Sequence, residues 1–209
     1  MAKCVAACQE LNYPDIEILI YPDVPIEKTF ADKRIRVFPT GPVGPAEKRD
    51  KALLHAKGEI LAFIDDDAYP RKDWLSKAVV HFQNTDIAAV GGPGVTPPES
   101  SLFQRVSGAI YASFLVSGKF TYRYIPGKLQ EVDDFPSCNL LVRKDIFASA
   151  GGFSTAFWPG EDTKLCLDIT KLLHKKILYD PEVLIYQHRR KSFKSHLQQL
   201  SNYALHRGY

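Results

Sequence analysis

Short apolar blocks alternate with amphipathic stretches along the whole chain. Residues 16–20, Ile-Glu-Ile-Leu-Ile, predict a strand ending at Tyr21-Pro22-Asp23, and Ile35 to Phe38 predicts a second. The turn-rich run Thr40 to Pro45 leads into a helix over Ala46 to Lys57, with Gly58 placed to stop it. Ile60 to Ile64 is nearly all apolar and predicts a strand buried on both faces. Asp65, Asp66 and Asp67 follow it directly. Trp74, Leu75, Ala78, Val79 and Phe82 fall at helical spacing and predict a helix over Lys72 to Phe82. Ile87 to Val90 is a further strand, after which Gly91 to Gly94 and Pro97-Pro98 break the chain. Leu102 to Val116 reads as a helix, and Gly118 to Pro136 as a long loop of the kind that carries function. The rest reads as a strand (Asn139 to Val142), a short helix (Lys144 to Ala150) closed by Gly151-Gly152, and a helix (Glu161 to Leu173). Strands at Ile177 to Tyr179 and Val183 to Tyr186 and a helix over Ser192 to His206 complete the pattern.

Strands alternating with helices imply an α/β fold with a mostly parallel central sheet flanked by helices. Ligands in such sheets bind at the carboxyl ends of the strands. Asp23 and Asp65 to Asp67 all follow strands, so four carboxylates share one sheet edge.

Composition narrows the class. With 45% apolar and 24% charged residues, the 209-residue chain can bury a core, which argues against disorder. A net charge of +3 argues against a dedicated nucleic-acid binder. Four cysteines do not make a disulfide scaffold, and Cys4 and Cys8 read as small buried residues on one helix face. No apolar run reaches the length of a membrane span, and the N-terminus shows no secretory signal, so a reduced, cytoplasmic setting is expected.

Three adjacent carboxylates repel one another, and a cation is the usual reason a fold tolerates them. Oxygen ligands of this kind suit Mg²⁺ or Mn²⁺. Asp65 and Asp67 can face the same side of a bent strand end, with Asp66 turned elsewhere. The bland alternative is a solvated acidic turn in which Asp67 caps the next helix.

The run Ala46 to Ala68, ending in Phe-Ile-Asp-Asp-Asp-Ala and followed by Trp74-Leu75, resembles the nucleotide-sugar half of a family-2 glycosyltransferase of the GT-A fold. Pro136-Ser-Cys-Asn-Leu-Leu-Val-Arg143, Gly151-Gly-Phe153 and Gly160-Glu-Asp162 follow in the family's order. The resemblance implies a GT-A catalytic domain over residues 1–187, with a nucleotide-sugar half over 1–95 and an acceptor half over 96–187. It implies donor-binding roles for Asp23, Lys48, Arg49, Asp65, Asp66 and Asp67, and metal ligation by Asp65 and Asp67 as a DxD motif, with His188 as a further ligand. It implies Asp162 as catalytic base, with Asn139, Trp158 and Glu161 on the acceptor side. A helix N-terminus at Asp162 would favour its ionised form.

The implied activity is metal-dependent, inverting transfer of a sugar from a nucleotide donor, UDP-linked by expectation, to a saccharide or lipid-linked acceptor. A sugar nucleotidyltransferase is the competing enzyme class, but the prolines of Thr40 to Pro45 make a poor phosphate loop. A non-catalytic nucleotide- or glycan-binding module is the third reading, because the family's first strand is missing from the front of the chain. Residues 188–209 carry Arg189, Arg190, Lys191, Lys194 and Arg207 with no acidic residue, and read as a basic amphipathic helix able to lie on an anionic membrane surface at its inner face.

Overall fold

The computed structural model describes residues 1–27, 30–153 and 160–189. Helix α1 (Ala2–Gln9) opens the chain and buries Cys4 and Cys8 against Ala68, Trp74 and Leu75, as their spacing predicted. Strands β1 (Ile18–Ile20) and β2 (Ile35–Val37) form a parallel pair. The helix expected after them is broken into α2 (Pro45–Asp50) and α3 (Ala52–His55). It ends where Ala56 turns to an extended conformation, before Gly58 is reached.

The central sheet has five strands. β3 (Ile60–Ile64) lies at one edge, followed by β8 (Asn139–Arg143), β5 (Ile87–Gly91), β9 (Lys176–Tyr179) and β7 (Gln130–Val132). A mostly parallel sheet was expected, and the pairing is mixed instead. β5 and β9 are parallel, while β8 runs antiparallel to both its neighbours and β7 antiparallel to β9. The edge position also explains why Ala62 of β3 is exposed, whereas β5 is buried along its whole length.

Alternation along the strands divides the core. Leu61, Phe63, Leu140 and Val142 face Phe147 and Phe153 on one side of the sheet. Leu141 and Val90 face Trp74, Leu75 and Phe82 on the other. These last three belong to α4 (Trp74–Val79) and the short 3₁₀ turn after it.

A second small sheet joins β4 (Ala68–Pro70), β10 (Ile185–Gln187) and β6 (Gly94–Val95), two of which fall where the sequence shows breaks. The helix predicted over Leu102 to Val116 is interrupted at Ser113, giving α5 (Leu102–Ala112) and α6 (Phe114–Ser117). The long loop after it contains a 3₁₀ segment and β7. α7 (Lys144–Ser149) ends at Gly151 and Gly152, both at positive φ. A Cβ on Gly152 would come within 2.4 Å of the Asp50 carboxylate, so the turn needs glycine there. α8 (Glu161–Leu167) continues through one π turn.

Candidate functional site

Strand register brings the site together. Ile64 of β3 lies opposite Asn139 of β8, so the antiparallel pairing carries Asp65 toward Cys138 and Ser137. On the other side Gln187 of β10 lies opposite Ala68 of β4, and the His188 amide donates to the Asp67 carbonyl at 3.0 Å. The aspartate row is therefore flanked by two segments distant in sequence.

Arg49, on α2, ties this edge to α8. Its guanidinium donates to the Asp65 carboxylate at 2.8 Å and to Glu161 at 3.5 Å, and sits 5.5 Å from the Phe153 ring. Asp50, the next residue, accepts from the Phe153 amide at 2.7 Å and so pins the Gly-Gly-Phe turn to α2. Burial opposes the charge on Arg49, but Asp65, Asp162 and Glu161 outweigh it and hold its pKa above the ordinary value.

Asp162 is the least satisfied group of the site. Its Oδ1 is buried with no hydrogen-bond partner. Burial pushes its carboxyl up to about 6, against the pull of Arg49 and of the Ser137 hydroxyl and amide. The expected preference of a helix N-terminus for the ionised form is thus overridden by desolvation. Asp67 is pushed up in the same direction by burial first and then by Asp65, while a Gln187 hydrogen bond pulls it down.

The remaining predicted residues fall into place unevenly. Lys48 and Asp23 do meet, at 2.5 Å on the exposed edge beyond β1. Asp66 turns out of the row, with its side chain 83% exposed. Glu161 was expected on the acceptor side; it is buried instead, between Arg49 and the Gly160 amide at 3.0 Å, because it neutralises the arginine.

Asn139 was also expected to face an acceptor. It is fully buried, its oxygen accepting from Trp74 Nε1 at 2.8 Å and its amide donating to the Gly92 and Val183 carbonyls at 2.7 and 2.8 Å. Those bonds use both amide protons and leave the side chain committed to the core. Gly92 is equally constrained, since a Cβ there would lie 1.8 Å from the Val183 carbonyl oxygen.

His188 lies beside the row through its backbone, with its ring 5.8 Å from the Tyr69 ring. Among the described residues no three or more His, Cys, Asp or Glu side chains form a metal-ligand group, so His188 does not complete one with Asp65 and Asp67. His188 and Arg189 were expected to open the basic tail, but Arg189 is built into the domain. It is buried beside the stacked pair of Tyr111 and Tyr124, 5.6 and 5.1 Å from their ring centroids, and donates to Thr96 Oγ1 and Gln187 Oε1 at 3.2 and 3.1 Å. Trp158 and the helix expected over residues 192–206 lie outside the described residues.

Sequence reasoning missed Ser137, Cys138, Asp50, Gln187 and the buried role of Arg189. Ser137 and Cys138 stood inside a quoted motif, but their closeness to Asp65 depends on a strand direction that an apolar run does not encode.

The fold is that of a GT-A α/β protein. The family description "Glycosyl transferase family 2" matches residues 1–150, and the chain belongs to that family. It is similar to the pre-mycofactocin glycosyltransferase of Mycobacterium tuberculosis, at 28% identity over 70% of this chain and 30% of that protein. It is also similar to the glucosyl-dolichyl phosphate glucuronosyltransferase of Haloferax volcanii, at 22% identity over 79% of this chain and 54% of that one.

Among solved structures, the mannosyltransferase PcManGT of Pyrobaculum calidifontis, in complex with GDP-Man and Mn²⁺, aligns with a TM-score of 0.68. That match has 19% identity and covers 98% of this chain and 57% of the other. TarS 1–349 of S. aureus, in complex with UDP-GlcNAc, aligns with a TM-score of 0.61 at 15% identity, covering 91% of this chain and 55% of the other. The chain thus spans between 30% and 57% of the length of these relatives and neighbours.

Proposed function

We propose that this chain is a metal-dependent, inverting glycosyltransferase domain that moves a sugar from a nucleotide-sugar donor to a saccharide or lipid-linked acceptor. The observation that carries the reading is Asp162, a buried carboxyl raised to about 6 with one oxygen unpartnered, close enough to Arg49 for that guanidinium to pull its pKa down. A carboxyl poised there is largely ionised at neutral pH yet basic enough to take the proton of an attacking hydroxyl. One base acting on one direct displacement inverts the anomeric centre.

Asp65 and Asp67 offer hard oxygen donors; burial raises Asp67 first and repulsion from Asp65 adds to it, and a cation would relieve that repulsion. Two carboxylates fit Mg²⁺ or Mn²⁺, whose remaining positions go to substrate phosphates and water. When bound, the cation would neutralise charge developing on the departing nucleoside diphosphate. Arg49 fixes the Asp65 carboxylate in place and pairs with Glu161, while the unpartnered Oδ1 of Asp162 is the oxygen proposed to take the proton. In this reading Lys48 and Asp23, paired with each other at 2.5 Å, meet the nucleoside.

The Mn²⁺ and GDP-Man of one solved neighbour, and the UDP-GlcNAc of another, support metal use and a nucleotide-sugar donor. The name of the dolichyl phosphate relative supports a lipid-linked acceptor, and the basic residues within the sequence 190–207 support work at the inner face of a membrane. No helix among the described residues is long and apolar enough to cross one.

The test is nucleoside diphosphate release from a panel of UDP- and GDP-sugars with Mn²⁺. Release that depends on metal and is abolished by Asp67→Ala is the expected result. Pyrophosphate release, or metal-independent turnover by Asp67→Ala, would overturn the reading.

A further inference from the structure

Helix α5 is built inside out. Its inward residues are Gln104, Ser107 and Gly108, polar or small, packed where Thr96 leaves no room for a larger side chain at Gly108. Its outward residues are Leu102, Phe103, Val106 and Ile110, three of them four apart on one stripe. A helix on the surface of a water-soluble domain shows the reverse polarity.

Exposed apolar residues also follow the Ser113 break in the chain. Ser113 caps α6 by accepting from the Leu115 amide at 3.2 Å, and Phe114 and Leu115 are left 75% and 95% exposed. Ile125 and Leu129 are exposed in the segment that follows. Scattered exposed leucines need no explanation, but these residues come from one continuous stretch of chain and gather on one helix face and the turns after it.

Charge says what covers this surface. From Ser100 to Gln130 the chain has no acidic residue, and Arg105, Lys119 and Lys128 are exposed within it. The Gln104 side chain donates to the Arg189 carbonyl at 2.8 Å, which puts Arg189 beside α5; in sequence, 190–209 carries Arg190, Lys191, Lys194 and Arg207 and again no acidic residue. A second copy docked through the same face would set these cations against themselves. An anionic lipid surface takes apolar side chains into its acyl boundary and cations at its headgroups.

We propose that the α5–α6 face is a docking surface for an anionic lipid bilayer, with Phe114 and Leu115 inserting and Arg105, Lys119 and Lys128 contacting headgroups. This goes beyond the transfer reaction and stands whether or not that reaction is as described.

The test is co-sedimentation of the full chain with phosphatidylcholine vesicles, with and without about one-third phosphatidylglycerol. Binding to the anionic vesicles alone is expected, weakened about ten-fold or more by the double substitution Phe114→Glu and Leu115→Glu. Both positions are exposed, so an unchanged circular dichroism spectrum should accompany the loss. Absent binding by the unaltered chain, or equal binding by the double variant, would overturn the proposal. So would loss confined to a variant with Arg190→Glu, Lys191→Glu and Lys194→Glu, which would put the contact in the tail alone. A dimer dissolved by Leu115→Glu, with no vesicle binding, would instead assign the face to a second copy and would equally overturn it.

Discussion

Two buried polar regions meet in the short segment from Ser137 to Asn139, and they are built on opposite terms. At one end, Asn139 joins Trp74, Gly92 and Val183 through three short hydrogen bonds, with nothing left over. At the other, Ser137 faces Asp162, whose Oδ1 is buried without a partner and whose carboxyl is raised to about 6. A buried polar group whose bonds are all made inside the protein holds the fold. One left short of a partner lowers stability, and a substrate proton is what would complete it. The contrast separates structural from chemical residues better than residue type does, since both were singled out for the same reason, their place in a motif.

The sharpest way to break this contrast is Asp162→Asn, which should cost about 10²–10⁴ in transfer rate without unfolding the protein. The sign of the stability effect follows from the raised pKa. A carboxyl harder to ionise in the fold than in the unfolded chain contributes most to stability at low pH, and that contribution is lost as pH rises through about 6. The neutral amide escapes that loss, so the variant should melt at or above the wild-type temperature near pH 7, with a gain of up to about 3 kcal/mol. The same carboxyl predicts an activity profile that falls below pH of about 6 and is flat above it. A variant that loses activity only because it melts, or a profile with no acidic limb, would remove Asp162 from the chemistry.

Asn139→Ala is the mirror image. It leaves the Trp74 N–H and the Gly92 and Val183 carbonyls unpaired, and should cost roughly 3 kcal/mol in a denaturant titration. Transfer per folded molecule should stay near wild type. If stability is unchanged and activity collapses, Asn139 belongs to the acceptor side after all.

Arg49 serves both stability, through its ion pairs, and the charge on Asp162, so its removal should blur the contrast. Arg49→Met strips the partner from Asp65 and from buried Glu161, so stability should fall by no more than in Asn139→Ala and rate by less than in Asp162→Asn. Arg49 also pulls the Asp162 carboxyl down, so the acidic limb of the activity profile should move to higher pH. An unmoved limb would show that the guanidinium does not reach the base.

How much of this was readable beforehand depended on what kind of information each residue needed. The aspartate row and Glu161-Asp162 stood out because strand ends and helix starts are local signals. The Asn139 knot did not, because a motif marks a position without saying whether its side chain faces the core or a ligand. The site's second wall, Ser137 and Cys138, required the antiparallel entry of β8, and an apolar pentapeptide reads the same in either direction. Helix α5 shows the same limit from another side. The run Leu102 to Val116 read as a helix, and nothing in it said that Gln104 and Ser107 would be the residues turned inward. The interruption at Ser113 was legible only as a lone polar residue within an apolar run, yet it is what leaves Phe114 and Leu115 outside.

The smallest effect tests the comparison most finely, because it concerns a carboxylate that sits in the row but belongs to neither region. Asp66 lies between Asp65 and Asp67, yet its side chain is 83% exposed, and the row's pull on Arg49 comes from Asp65, Asp162 and Glu161 without it. Water screens a charge at that exposure. Asp66→Asn should therefore leave stability within about 0.5 kcal/mol. Donor KM should move by less than about two-fold, equivalent to roughly 0.4 kcal/mol of binding. Asp66 does push the Asp67 carboxyl upward, so the one expected trace of Asp66→Asn is that Asp67 gives up its proton slightly more readily, visible as a slightly lower Mn²⁺ requirement at low pH. A large rise in donor KM would mean that Asp66 turns inward when substrate arrives, and that all three carboxylates of the row, rather than the alternate pair, hold the donor.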